Sequence, residues 1–253
     1  MKMHLNNIKR IYQDNLVNKS YEIAFLVVIF RFISPPFVYF LSILKVNPLL
    51  ISYANLLVVI AALISFVFSE NIIIPILLLV LWQFCDTLDG GVARHRGMIS
   101  NYGGFIDQIA GMIMLAFFPI FVSFSVSQHM VDHQINYRLI TYDLTSSNIL
   151  MFGGLSSLFS IFSRYINYAV RIRFGHDNAE TLTSEENINR ILKILIVNIE
   201  NIGGLNLMIL LACTILDLLP FYVVIFSAIN FLIMLYVLFR ALIDYKNFTE
   251  YMK

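Results

Sequence analysis

The chain has 253 residues, of which 59% are hydrophobic and 13% charged, and its formal net charge is +1. Soluble domains carry far fewer apolar and many more charged residues, so this composition excludes an ordinary soluble protein and predicts an integral membrane protein. The near-zero net charge gives no sign of nucleic-acid binding, and we expect no nucleic-acid partner.

Residues 1–51 are predicted to form an N-terminal segment on the cytoplasmic side of the membrane. Basic residues dominate its first twenty positions, which favours contact with the anionic headgroups of membrane lipids. The following stretch, Tyr21–Val46, is apolar but is interrupted by Arg31 and by the pair Pro35-Pro36. Because neither side of the prolines is long enough to cross a bilayer, we expect a re-entrant or interfacial helix here.

Residues 52–253 are predicted to form one all-α membrane domain with six transmembrane helices. Each apolar run is close to the ~20 residues that a helix needs to cross the hydrocarbon core. The expected spans are Ser52–Ser69, Ile72–Asp89, Gly103–Val126, Ile149–Val170, Ile202–Leu219 and Phe221–Ile243.

The distribution of Lys and Arg predicts the orientation of these spans. With the N-terminus in the cytoplasm, the loop 90–102, the segment 171–201 and the C-terminal tail lie on the same side and hold most of the basic residues. The outside loops hold only Arg138. The positive-inside rule therefore predicts a multi-pass protein with both termini in the cytoplasm.

Three aspartates with glycines between them are the main candidate for a functional site. Asp86 and Asp89 are three residues apart at the end of the second apolar run, so on a helix both side chains leave one face. Asp107 lies on the next run, and the intervening glycine-rich turn can bring it opposite the pair. Carboxylate oxygens are the ligands that Mg²⁺ and Mn²⁺ prefer, and substrate phosphates often complete the shell.

Two structural interpretations of these aspartates stay open beside the metal site. Acidic residues in a membrane helix also form proton relays, or pair with a basic residue such as Arg94. Because an ionisable group at membrane depth is costly, a functional role is the starting hypothesis. By the predicted orientation, the acidic cluster faces the cytoplasm.

Basic residues near the end of the fourth span form a second candidate group. Arg164 lies within that span, and Arg171 and Arg173 lie at its cytoplasmic end, so Arg164 and Arg171 are expected to bind substrate phosphates. The alternative is that Arg171 and Arg173 only anchor the helix at the interface. After them, the pattern of Asn178–Glu200 predicts an amphipathic surface helix, and Gly203 and Gly204 then serve either the site or close helix packing.

The residues around the acidic cluster resemble the CDP-alcohol phosphotransferase family, whose pattern is D-x2-D-G-x2-A-R-x8-G-x3-D-x3-D. Seven of its positions match without a gap, at Asp86, Asp89, Gly90, Ala93, Arg94, Gly103 and Asp107. The short sequence around Asn47-Pro48 and Ser52 also resembles the start of the family's first spanning helix.

This resemblance implies transfer of a phosphoalcohol or phosphatidyl group from a CDP-alcohol to an acceptor, with release of CMP, in phospholipid or related lipid biosynthesis. It implies two Mg²⁺ or Mn²⁺ ions, held by Asp86, Asp89 and Asp107. It implies substrate binding by Gly90, Ala93, Arg94 and Gly103. The partners would be a CDP-alcohol, a lipid or small-alcohol acceptor and the surrounding lipids, and the family resemblance also implies a homodimer.

The eighth position of the pattern departs from the family, because Gly111 stands where the last aspartate is expected. In the family this aspartate is the general base and a metal ligand, so no catalytic residue is assigned. Three hypotheses remain: a transferase adapted to the loss, a catalytically silent relative that binds nucleotide or lipid, and a membrane ion-binding or transport protein. The retained spacing argues against the third hypothesis.

Overall fold

The computed structural model describes residues 24–132, 137–139, 142–174, 198 and 202–251. The elements in these ranges, in chain order, are α1 (Phe25–Ile33), α2 (Pro35–Ile43), α3 (Pro48–Phe68), α4 (Ile73–Arg96), α5 (Asn101–Asp132), β1 (Tyr137–Leu139), β2 (Tyr142–Leu144), α6 (Ser146–Phe174), a π-helical turn (Ile202–Asn206), α7 (Leu207–Ile215) and α8 (Leu219–Tyr251). The two short strands pair in antiparallel fashion.

The predicted all-α, multi-pass membrane fold class is confirmed, with the short pair β1–β2 as the exception among the described residues. Five helices are long and apolar enough to cross a membrane, and the number rises to six if the bent pair α1–α2 is counted as one span. The five are Pro48–Phe68, Ile73–Arg96, Asn101–Val131, Ser146–Val170 and Leu219–Ile243.

The N-terminal helix pair has the broken form that the two prolines predict. The axes of α1 and α2 differ by 54°, and the break falls at Ser34, directly before Pro35-Pro36. Proline cannot donate a backbone hydrogen bond and its ring excludes the preceding turn, so the two pieces cannot form one straight helix.

The predicted fifth span, Ile202–Leu219, contains a short helix. The apolar helix there covers Gly204–Ile215, below the length of a span. The predicted amphipathic helix Asn178–Glu200 lies outside the described residues, apart from Asn198. The predicted division at residues 1–51 and 52–253 stays a prediction.

The chain forms two compact units, Met1–Met114 with Lys193–Asp217, and Leu115–Leu192 with Leu218–Lys253. In the first unit α3 and α4 pack along each other through buried faces that include Val59, Phe66, Ile76 and Leu79. α2 is fixed to the end of α4 by a hydrogen bond between Ser42 Oγ and His95 Nδ1, 3.0 Å long. The Arg96 guanidinium also donates to the Val46 carbonyl at 2.5 Å.

In the second unit the later part of α5 packs closely against α6 at a glycine. A Cβ added at Gly153 would overlap the Ser123 side chain and lie 2.8 Å from the Pro119 carbonyl oxygen. Beside this contact, Asn230 of α8 donates to Ser156 at 2.7 Å. Close packing through small residues is typical of helices in membranes, where polar side chains bond across the interface.

We therefore expect Gly153→Ala to destabilise the protein by about 1–3 kcal/mol, the usual cost of overpacking a filled site. Thermal unfolding in detergent measures this change. Gly154→Ala is the matched control, because nothing lies within 4 Å of a Cβ added there. Equal unfolding temperatures for the two variants would contradict the close packing.

Candidate active site

The motif from Asp86 to Arg94 lies on a helix, not in a turn. We predicted a glycine-rich loop over residues 90–102, and this boundary is wrong because α4 continues to Arg96. Gly90 and Gly91 are helical residues, and Gly91 is buried. The helix ends at Gly97, whose φ of 64° is the left-handed conformation that glycine adopts at helix C-termini.

A short connection then returns the chain to the site. Residues 97–100 separate α4 from α5, and the Ser100 hydroxyl accepts a hydrogen bond from the Gly103 N–H at 3.0 Å. A serine at this position satisfies one of the free N–H groups at the start of a helix. The Gly103 backbone is thus used to start α5, while its predicted contact with substrate stays a prediction.

Asp86, Asp89 and Asp107 all lie in the first unit. Asp107 interacts with Asp89 and with Ser52, and Asp86 interacts electrostatically with Asp107. Asp89 is buried, with 3% of its surface exposed. Bare carboxylates at this separation repel each other, so a proton or a cation must lie between them.

Carboxylate oxygens are the ligands that divalent cations such as Mg²⁺ prefer. Asp107 Oδ1 is buried and has no hydrogen-bond partner among the described residues, so it is open to a proton or a cation. No three His, Cys, Asp or Glu side chains in the described part of the chain form a group that could hold a metal ion. Metal binding by the three aspartates therefore stays a prediction.

Ser52 is a site residue that the sequence analysis did not select. Asn47 caps the N-terminus of α3 by accepting from the Leu49 N–H at 3.0 Å, and Pro48 occupies the first turn. This start places Ser52 against α4, where its hydroxyl donates to Asp89 Oδ2 at 2.8 Å. The available signal was the short sequence around Asn47-Pro48 and Ser52, which the sequence analysis noted without assigning Ser52 to the site.

Asn55 is a second polar residue of α3 with no role assigned by the sequence. It is three positions beyond Ser52 on the same helix and has 0% of its surface exposed. Neither its amide nitrogen nor its oxygen has a hydrogen-bond partner in the described residues. A buried amide without partners costs about 1–3 kcal/mol, and Asn55 lies one helical turn beyond Ser52, the residue that donates to Asp89.

Arg94 folds back along α4 over Gly90. A Cβ at Gly90 would lie 3.1 Å from Arg94 Nη1 and 3.3 Å from Nη2, so glycine leaves room for the guanidinium. Arg94 also interacts electrostatically with Asp86. Gly90 and Arg94 thus lie beside the aspartates, and Ala93 follows on the same helix.

The remaining candidate residues have different surroundings. Gly111 is exposed, and nothing lies within 4 Å of a Cβ added there. A Cβ at Gly204 would lie 2.6 Å from Asn198 Cα, which supports the packing interpretation of this glycine. Arg164 and Arg171 lie on α6 in the second unit, so their predicted contacts with substrate stay predictions.

The long apolar helices define the class of the chain, a multi-pass membrane protein. Comparison with known families supports the resemblance seen in the sequence: the family model described as CDP-alcohol phosphatidyltransferase matches residues 45–159. Searches of curated proteins and of solved structures found no significant match. The family match supports phosphoalcohol transfer from a CDP-alcohol, in lipid synthesis, as the class of reaction.

We expect Ser52→Ala to weaken Mn²⁺ binding by about 10-fold or more, because hydrogen bonds to ligating carboxylates typically contribute this much to metal affinity. Mn²⁺ binding can be followed by the fluorescence of Trp82, the only tryptophan of the chain. Ser65→Ala on the same helix is the control, because that hydroxyl donates to the Ala62 carbonyl of its own helix. An unchanged affinity in Ser52→Ala would remove Ser52 from the site.

Proposed function

We propose that this protein transfers a phosphoalcohol or phosphatidyl group from a CDP-alcohol to an acceptor hydroxyl, releasing CMP, during the synthesis of a phospholipid or related lipid. The observation that carries the proposal is the convergence of Asp86, Asp89 and Asp107, with a buried and unpartnered oxygen on Asp107. The matched family model supports the class of reaction.

One or two Mg²⁺ or Mn²⁺ ions would be held by Asp86, Asp89 and Asp107. Bound there, they would supply positive charge that neutralises the diphosphate and polarises the phosphorus under attack. Ser52 keeps the Asp89 carboxylate oriented through its hydrogen bond. Arg94 supports binding of a phosphate oxygen, since a guanidinium can donate two parallel hydrogen bonds to it.

In the reaction the acceptor oxygen bonds to the phosphorus that carries the alcohol, and the bond from this phosphorus to the bridging oxygen breaks. CMP leaves with that electron pair. The proton of the acceptor hydroxyl needs a base, which Gly111 cannot provide. We assign this step to Asp107 Oδ1, which has no hydrogen-bond partner among the described residues; Asp107 would then hold the cation through its other carboxylate oxygen.

The absence of the last motif aspartate favours one alternative, a catalytically silent relative of the transferases. Such a protein would keep the three aspartates for binding nucleotide or lipid and would lack turnover. Gly111 is the specific observation behind this alternative. A membrane ion-binding or transport role is disfavoured, because an ion path does not need the full spacing of the motif.

The cytoplasmic orientation of the site follows from the distribution of basic residues. Arg94, His95 and Arg96 end α4, next to the aspartates, and basic ends of this kind face the cytoplasm. CDP-linked substrates would then reach the site from that side. Contacts of Arg164 and Arg171 with substrate phosphates, and assembly into a homodimer, are further parts of this proposal.

We expect Asp89→Asn to reduce Mn²⁺-dependent binding of a CDP-alcohol and CMP release by more than about 10-fold, because changes outside the ligand set already have effects of this size. Binding to purified protein and CMP release in membranes measure the two effects. Asp217→Asn is the control, since Asp217 is exposed and its φ of 55° also suits asparagine. Retained metal-dependent binding in a folded Asp89→Asn protein would refute the site.

Gly111→Asp separates the transferase from the silent relative. The new side chain has space and would follow Asp107 by one helical turn. If Asp107 takes the proton, CMP release in the natural sequence should be measurable, and the added carboxylate should change it less than 10-fold. A rise of about 10²–10⁴, the usual contribution of a positioned base, would instead favour the silent relative. Gly111→Asn controls for the added volume.

A further inference from the structure

Arg31 is a charged residue on a helix that is otherwise entirely apolar. α1 reads F-L-V-V-I-F-R-F-I, and α1 lies outside the segment 45–159 that the family model matches. A charged side chain among apolar residues of a membrane protein is costly, and its persistence indicates an anionic partner or a function.

Ring contacts place α1 beside the part of α4 that carries the aspartates, and Arg31 acts electrostatically on Asp86. The Phe30 ring meets the Phe84 ring edge-on at a centroid distance of 5.5 Å, and Phe37 of α2 meets the same ring at 5.3 Å. Arg31 follows Phe30 directly, and Asp86 follows Phe84 by two residues. The bend between α1 and α2 therefore packs both helices against Phe84, and it brings the α1 segment that carries Arg31 close to the part of α4 that carries Asp86.

The start of α1 is held by a separate contact. The Phe25 N–H donates to the Asn198 side-chain oxygen at 2.9 Å, which satisfies one of the free N–H groups at the start of the helix. α1 is thus fixed at its first turn by Asn198 and at its last turn by Phe84. A helix fixed at both ends can hold a guanidinium in a defined position.

The charges around Asp86 show what this guanidinium can do. Asp86 is repelled by Asp107 and attracted by Arg31 and Arg94. A divalent cation bound by the aspartates would cancel their attraction for Arg31 and add a repulsive charge. The guanidinium then needs a new anion, and a phosphate group fits its planar pair of donors.

We propose that Arg31 changes partner during substrate binding: it pairs with Asp86 before a divalent cation binds, and it binds the diphosphate of the CDP-alcohol afterwards. This proposal rests on the proposed function, because the anion is that of its substrate. It makes the N-terminal helix pair a part of the substrate site. Arg31 is then a binding residue supplied from outside the motif.

The experiment compares Arg31→Gln and Arg31→Lys with the natural chain, using purified full-length protein in detergent. Mn²⁺ alone is titrated first through Trp82 fluorescence, and CDP is titrated next at saturating Mn²⁺. CDP is the probe because every CDP-alcohol contains it. Lys45→Gln is the matched control, since Lys45 is a basic residue of the same unit that is exposed.

We expect the two affinities of Arg31→Gln to change in opposite directions. Mn²⁺ should bind severalfold more tightly, because a competing positive charge is gone, whereas CDP should bind at least 10-fold more weakly. Arg31→Lys should keep the charge but lose the paired donors, so its CDP affinity should lie between those of Arg31→Gln and the natural chain. Lys45→Gln should change neither affinity.

Other outcomes overturn the proposal. Unchanged CDP binding in Arg31→Gln, with the natural chain binding CDP, would refute the role of Arg31 and leave the proposed function standing. Weaker binding of both Mn²⁺ and CDP, with a lower unfolding temperature, would show a structural role. Absence of Mn²⁺-dependent CDP binding in the natural chain would refute the proposed function and, with it, the phosphate role of Arg31.

Discussion

The site depends on one constraint, the proximity of the carboxyl groups of Asp89 and Asp107. The two residues lie on consecutive helices joined by only four residues, 97–100, which keeps them near each other. Asp89 is buried, which removes the water that would otherwise separate the charges. The fold thereby creates an excess of negative charge that a proton or a cation must balance.

Other local features follow from this excess of charge. Ser52 donates to Asp89, and Arg94 folds over Gly90 towards the aspartates. Asp107 Oδ1 and the Asn55 amide remain buried without partners among the described residues. A core selected only for stability would replace such groups by apolar ones. Their presence on neighbouring helices indicates a site arranged for a polar ligand.

Much of this fold was predictable from the sequence, because long apolar runs have few alternatives in a membrane. The three aspartates were also predictable, since their spacing puts Asp86 and Asp89 on one helix face. The end of α4 was not predictable, because glycine occurs in turns and also inside helices where other groups pack closely. Gly90 and Gly91 lie inside the helix. Among the described glycines, Gly97 alone has a positive φ, and it ends α4. Ser52 and Arg31 reach the site from other helices, and no local pattern specifies such tertiary contacts.

The charges also dictate an order of events under the proposed function. Three carboxyl groups lie near two guanidinium groups, those of Arg31 and Arg94, so with all three ionised the site would be net negative and would repel a diphosphate. A divalent cation reverses the sign and simultaneously weakens the hold of Asp86 on the guanidinium groups. The diphosphate then meets both the cation and the freed guanidinium donors, whose strength is greatest where water is excluded. Under the proposed function we therefore expect cation binding to precede nucleotide binding, because ionised carboxylates without a metal would repel the substrate.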